Sequence, residues 1–256
     1  MAKKERSPIK DRPLNVPGQS GDSALSDFVD NHFVAPLLCV GALCVIGLWE
    51  AVAAAKHLPR QPGVILFIAF GAALVTSAYW RYRWKRAMAM KLGRDGERVV
   101  GQFLDFHVPD DATVFHDVPG TRGNIDHVVI CSRGIYSIET KTRTKPAKGP
   151  AVVLVEEERL TVNGHIPDRD PVMQAMACAD ELRQILKDST GKRFDVKPVV
   201  VFPGWFIEDK RKTRFPWILE PKALPAWIGR ENVTISSSDV QMATYHLSRY
   251  VRANPK

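Results

Sequence analysis

A chain of 256 residues, 45% hydrophobic and 25% charged, has the apolar and charged fractions of a globular protein rather than a disordered one, and beyond that its composition excludes little. Its four cysteines, at 39, 44, 131 and 178, form neither a CxxC spacing nor a paired framework, so neither a zinc site nor a disulfide scaffold is indicated. The net charge of +8 is uneven: residues 1–90 hold 11 Lys and Arg against 6 Asp and Glu, while residues 91–256 hold 25 against 22, so a basic pI is not by itself an argument for nucleic-acid binding.

Residues 1–31, with Pro, Ser, Gly and Asp and almost no large apolar residue before Leu25, are expected to form a disordered, mobile tail. Two uncharged apolar stretches follow. FVAPLLCVGALCVIGLW runs from Phe33 to Trp49 and continues past Glu50 as AVAAA, and GVILFIAFGAALVTSAYW runs from Gly63 to Trp80. Each approaches the roughly 20 residues needed to cross a hydrocarbon core as a helix. The alternatives are a buried core helix for either and a signal peptide for the first, though a cleavable signal starts nearer the N-terminus than this. A short link with Pro59, Arg60 and Pro62 makes the pair a transmembrane hairpin over residues 32–86, with spans at about 33–55 and 63–80.

Lys3, Lys4, Arg6, Lys10 and Arg12 precede the first span, and Arg81, Arg83, Lys85 and Arg86 follow the second. Only Lys56 and Arg60 lie between. Cations gather on the cytoplasmic side, which predicts a multi-pass protein of the cell membrane with both termini in the cytoplasm. Tyr79, Trp80, Tyr82 and Trp84 suit the headgroup level, and the adjacent cations suit anionic lipid, so the bilayer is the first expected partner.

Residues 91–256 read as a cytoplasmic domain. A helix over 95–107 groups Val99, Val100, Phe103 and Leu104 on one face, with Glu97 near its first turn. Strands are expected at about 112–118, 124–131 and 134–142, then a hairpin in AVVLVEEERLTVNG. Asp170 caps a helix that starts with Pro171 and runs to about Lys187, VKPVVVFPG is a strand buried on both faces, and a helix from about Ser238 to Arg252 follows. This order describes a mixed α/β domain.

The stretch GNIDHVVICSRGIYSIETK, residues 123–141, places Asp126, Glu139 and Lys141 inside an apolar hairpin. A turn at Ser132-Arg133, with Gly134 last, pairs Cys131 with Gly134 and Ile130 with Ile135, and puts Asp126 opposite Glu139. Alternation then puts Lys141 on their face, with Val128, Ile130 and Ile135 at its other end, and Ile125, Val129, Tyr136 and Ile138 on the opposite face. His127 also points to that opposite face, as a packed residue or a catalytic one.

Directly opposed Cβ atoms lie about 4.5 to 5.5 Å apart, and two carboxylates so close repel unless a proton or cation sits between them. Mg²⁺ takes one or two carboxylates together with water and phosphate oxygens, which makes the pair a metal-site candidate, with Lys141 placed to orient water or offset charge on phosphorus. The same spacing also fits a surface ion pair on a solvated sheet face. A second E-x-K, Glu220-Pro221-Lys222, has a central proline that cannot donate to a ladder.

With GERVVG at 96–101, GNIDHVVI at 123–130, GIYSIETKT at 134–142 and DPVMQA at 170–175, the chain resembles the nuclease-related domain (NERD) family of the PD-(D/E)XK nuclease-like superfamily over about residues 92–205. The resemblance implies a restriction-endonuclease-like mixed sheet flanked by helices and a metal-dependent nuclease using Mg²⁺ or Mn²⁺. It assigns Asp126, Glu139 and Lys141 to the family's D and ExK positions. It further gives Glu97 as the acidic residue of the first helix, a third carboxylate at the metal, and Gln174 as the polar residue on the helix after the strands. Glu97 also fits a helix N-terminus favoured by the dipole, and Gln174 faces either the site or solvent.

The implied substrate is nucleic acid, DNA or RNA. Arg143, Lys145 and Lys148, and a second cluster of Lys210, Arg211, Lys212 and Arg214, are the cations available for its backbone unless they are solvated loop charges. The rival reading is a catalytically inactive, membrane-tethered scaffold that keeps the fold and binds nucleic acid or protein without turnover.

Overall fold

The computed structural model describes residues 14–56, 62–121, 123–157, 159–213 and 215–254. The chain divides into two compact units, one of residues 21–91 and one that joins residues 92–256 to the N-terminal stretch ending at Ser20. The cations at 3–12, the link at 57–61 and Arg214 lie outside the described residues.

In the first unit a helix, α1 (Gln19–Val29), passes through one π-helical turn into α2 (Ala35–Ala55). Residues 19–29 are thus helical where a disordered tail was expected, because Leu25, Phe28 and Val29 recur at helical spacing and Phe28 is buried. Among the described residues one helical stretch, Gln19–Ala55, is long and apolar enough to cross a membrane by length and composition. The second apolar run opens α3 (Pro62–His107), and its Phe67, Ile68, Phe70, Leu74 and Val75 are exposed. Tyr79 Oη lies 2.7 Å from His32 Nδ1, and Trp80 Nε1 donates to the His32 carbonyl at 3.1 Å, so the residues that open one apolar run meet those that close the other. The second run, the basic collar and the helix of Glu97 are one continuous helix rather than three segments. AMAMKLGRDG between them is dominated by good helix formers, and its two glycines do not end the helix.

The second unit is built on a five-stranded sheet. Its strands are β1 (Thr113–Val118), β2 (Ile125–Cys131), β3 (Gly134–Thr140), β6 (Val196–Val201) and β8 (Trp217–Leu219), in that spatial order. The first three pair antiparallel, and β3–β6 and β6–β8 pair parallel, which gives a mixed sheet. A small second sheet holds β4 (Val152–Val155) between β5 (Leu160–Val162) and β7 (Phe206–Asp209).

Helices α4 (Pro171–Thr190) and α6 (Ser237–Ala253) cover one face of the large sheet, where Leu182, Leu186 and Leu247 pack on Val128, Ile130 and Ile135. The other face meets Val100 and Leu104 of α3 and a short helix, α5 (Leu224–Arg230), over Val129, Tyr136 and Ile138. Both faces are buried, as a sheet with a parallel half requires, and the solvated face that a surface ion pair needs is absent from the strands of Asp126 and Glu139.

The hairpin register follows the expected pairing. Cys131 opposes Gly134, Ile130 opposes Ile135, and His127 opposes Ile138. Ile125 departs from its expected face and packs with Val118 and Val128, next to Asp117, whose φ of 51° breaks the regular extended backbone of β1. Asp170 accepts from the backbone N–H groups of Val172 at 2.8 Å and Met173 at 3.4 Å, with Pro171 as the first helical residue, and Gly191 closes α4 in the left-handed conformation. Sequence reading missed β7, β8 and α5. The first two are 4 and 3 residues long, too short for periodicity to register.

Candidate active site

The polar residues of the hairpin meet at the C-terminal end of β3. Glu139 is only 3% exposed, and its Oε1 accepts from Lys141 Nζ at 2.7 Å and from Gln174 Nε2 at 2.5 Å. Lys141 Nζ also donates to Gln174 Oε1 at 2.7 Å, which closes a three-residue ring. Gln174 therefore faces the hairpin, because it lies one turn into α4 and the Asp170 cap fixes where that turn begins. Asp126 Oδ2 accepts the Thr140 backbone N–H at 2.7 Å, so the carboxylate reaches across the ladder to the residue between Glu139 and Lys141.

Glu97 enters from α3. The two glycines of GERVVG let this helix approach: a Cβ on Gly96 would lie 1.7 Å from Thr142 Oγ1, and one on Gly101 would lie 2.4 Å from Pro17 Cγ. A methyl at either position forces the backbone apart, a contact the sequence motif could not disclose. The Glu97 carboxyl is pushed up to about 7, first by burial and then by the charges of Asp117 and Glu139, with Lys141 opposing. Asp126 is raised well above the ordinary carboxyl range by burial, then by Glu139 and Glu97, against the Thr140 N–H and Lys141. Three acids from three elements thus sense one another, and a single lysine offsets them in part.

Two further residues belong to this neighbourhood without having been singled out in the sequence. Asp117, 4% exposed, accepts from Ser20 Oγ at 2.7 Å and Asn124 Nδ2 at 2.6 Å, and also from the Ser20 backbone N–H. Its partners come from 97 and 7 residues away, so only the possible Asn-Asp proximity left a trace in the sequence. Cys178, one turn after Gln174, has its Sγ 3.8 Å from Glu139 Oε2, and its thiol is pushed up to about 12 by burial and then by Glu139 and Asp126. It is a neutral cover over the carboxylates rather than a nucleophile.

His127 is fully buried on the α3 side, with Nδ1 3.0 Å from His116 Nδ1, and His116 Nε2 is 2.9 Å from Asp105 Oδ1. Burial first, then His116, pushes the His127 imidazole down to about 3, so it packs as a neutral ring. Glu220-Pro221-Lys222 lies past the end of β8, where Glu220 caps a 3₁₀ turn and no ladder forms.

Of the basic residues, Arg143, Lys145 and Lys148 are exposed in the segment after β3. In the other cluster Arg211 is held by Asp209 at 2.6 Å and the Pro216 carbonyl at 2.8 Å, and Lys210 pairs with Glu208 at 3.1 Å. Asp209 and Glu208 thus supply anionic partners to two of these cations at the end of β7.

Among the described residues no group of three or more His, Cys, Asp and Glu side chains stands ready to hold a metal ion. The acids present suit a cation that takes one or two carboxylates and completes its shell with water and substrate oxygens, as Mg²⁺ does. Asp126 and Glu139, whose charges disfavour one another, are the pair that could hold such a cation, since it would relieve their repulsion.

The Glu97 shift has a measurable sign. A folded-state value raised from 4.5 to about 7 means that folding takes up a proton between those pH values, so the contribution is most favourable below pH 4.5 and is lost as pH rises through 7. In chelator, Glu97→Gln is expected to be more stable than wild type near pH 8, by about 3 kcal/mol at most, and the difference should shrink toward about pH 4.5. Urea unfolding across pH reads it, and a difference that does not change with pH would refute the assignment.

The stretch 92–203 matches the sequence model of the family described as NERD, nuclease-related domain. Among solved structures, the chain aligns with Pyrococcus furiosus SfsA in complex with Ca²⁺ at 15% identity and a TM-score of 0.23, over 54% of this chain and 51% of that one. It therefore spans about half the length of that protein. No curated protein matches the chain. The matched stretch contains Glu97, Asp126, Glu139, Lys141 and Gln174, so the residues gathered at the site all fall within the part of the chain that is similar to a nuclease-related domain.

Proposed function

We propose that this domain is a nuclease that hydrolyses phosphodiester bonds of nucleic acid with a divalent cation, Mg²⁺ or Mn²⁺, held by Asp126 and Glu139 with Glu97 beside them. The observation that carries the reading is the convergence of Asp126, Glu139, Lys141 and Gln174 at one strand end, with the acids under mutual repulsion. When bound, the cation supplies Lewis-acid polarisation of the phosphoryl oxygen and lowers the pKa of attacking water. Glu139 and Gln174 occupy two of the three ammonium donors of Lys141, leaving the third for a phosphoryl oxygen or water. Cys178 and the apolar residues beneath keep bulk water from Glu139, which strengthens each charge interaction there.

We also read residues 33–55 and 63–80 as a membrane hairpin of the cell membrane with the domain and both termini in the cytoplasm. The meeting of His32 with Tyr79 and Trp80 supports it, as does the gathering of cations outside the two apolar runs.

The test uses the full chain in detergent micelles. Calorimetric titration with Mg²⁺ or Mn²⁺ is expected to show binding, and labelled single- and double-stranded DNA and RNA are expected to be cut only with metal present. If wild type binds neither metal and cuts none of the four, the nuclease reading is wrong and a tethered scaffold takes its place.

A further inference from the structure

Lys141 forms one wall of a cavity of about 200 Å³ whose other lining residues include Arg143, Arg169, Asp168, Pro171 and Phe202. We infer that Arg143 and Arg169 form a phosphate-binding subsite for the nucleotide next to the scissile bond. Arg143 follows Lys141 by two residues, just past the end of β3, and Arg169 immediately precedes the cap of α4. The segment leaving the strand of Glu139 and the segment entering the helix of Gln174 therefore bring the two guanidinium groups to the cavity that Lys141 also lines.

Both arginines are exposed, and among the described residues neither has an ion-pair or hydrogen-bond partner, unlike Arg211. Guanidinium groups brought to one cavity repel unless an anion lies between them, and the exposed Asp168 alone does not balance them. A guanidinium presents a planar fork of donors that matches phosphate oxygens. The cavity is below the usual size of a drug-like ligand pocket and suits a phosphate with part of its sugar. A chain with its scissile phosphate at Lys141 would pass its neighbouring phosphate through this opening, so the substrate is a polynucleotide strand rather than a mononucleotide.

This inference rests on the phosphodiester reading, and the experiment separates the two. Affinity of the full chain in micelles for a labelled single-stranded oligonucleotide is measured in chelator over a series of salt concentrations. Each phosphate contact contributes about 0.7 to the slope of log affinity against log salt, so Arg143→Ala/Arg169→Ala is expected to flatten the slope by about 1.4. Arg143→Lys/Arg169→Lys should keep most of it, and Lys222→Ala, an exposed cation elsewhere, should not change it. A double alanine variant with the wild-type slope overturns the subsite, and wild-type cleavage then leaves the nuclease reading standing. A wild type that neither binds nor cuts the strand overturns both.

Discussion

Asp126→Asn is expected to cut metal-dependent cleavage by about 10³-fold or more while making the metal-free protein harder to melt. The first effect follows from removing half of the carboxylate pair that would hold the cation, since transition-state charge stabilisation at such sites is worth that order. The second follows from the same repulsion: burial, Glu139 and Glu97 all disfavour the Asp126 anion, and an amide ends that cost. Asparagine keeps an oxygen for the Thr140 N–H, so the ladder contact at 2.7 Å survives. Cleavage assays in metal and thermal melts in chelator read the two effects. A variant that cuts within tenfold of wild type would refute the catalytic role, and a lower melting temperature would refute the frustration. Gain of stability on loss of function is what a site organised for chemistry rather than for folding shows.

Lys141→Met is expected to have the opposite sign on stability and the same sign on activity. Glu139 is almost fully buried, and Lys141 is the only cation in its hydrogen-bonded ring, so the substitution leaves a buried carboxylate uncompensated. Breaking a buried pair from one side costs about 3 to 5 kcal/mol. Because Lys141 is itself 21% exposed, the lower end of that range is expected. Adding Glu139→Gln should recover most of the stability and none of the cleavage, since the pair couples in folding and each member is needed in the reaction. Denaturant unfolding of the two single variants and the double one completes the cycle. Additive effects would show that Glu139 draws no support from Lys141.

The pairing of β2 with β3 was legible because a two-residue turn and the alternation of apolar residues leave few registers, and Gly134 marks the turn's end. Asp126, Glu139 and Lys141 could therefore be placed together from spacing alone. Gln174 was legible only to within a choice of two directions. The Asp170 cap located the start of α4, but which side of the helix faced the hairpin depended on how Ala179, Leu182 and Leu186 packed on Val128 and Ile130. Asp117 and Ser20 were not legible at all, since the contact joins residues 97 apart and hydroxyl and carboxyl groups are common in loops. The cations illustrate the same limit. Arg143 and Arg211 look alike in the sequence, yet Asp209 neutralises one and nothing among the described residues pairs the other.

By itself the sequence determined the alternation of the hairpin, the Asp170 cap of α4, the two apolar runs and the residue types of the site. These depend on neighbours within a few positions, where backbone geometry fixes what can meet. Only the tertiary structure decided that Glu97 approaches through a glycine pressed against Thr142, that Glu139 lies buried inside a ring with Lys141 and Gln174, and that Arg143 and Arg169 open on one cavity. Those facts depend on the packing of α3 and α4 against the sheet, which joins residues distant in the chain, and burial there sets how strongly the acids repel.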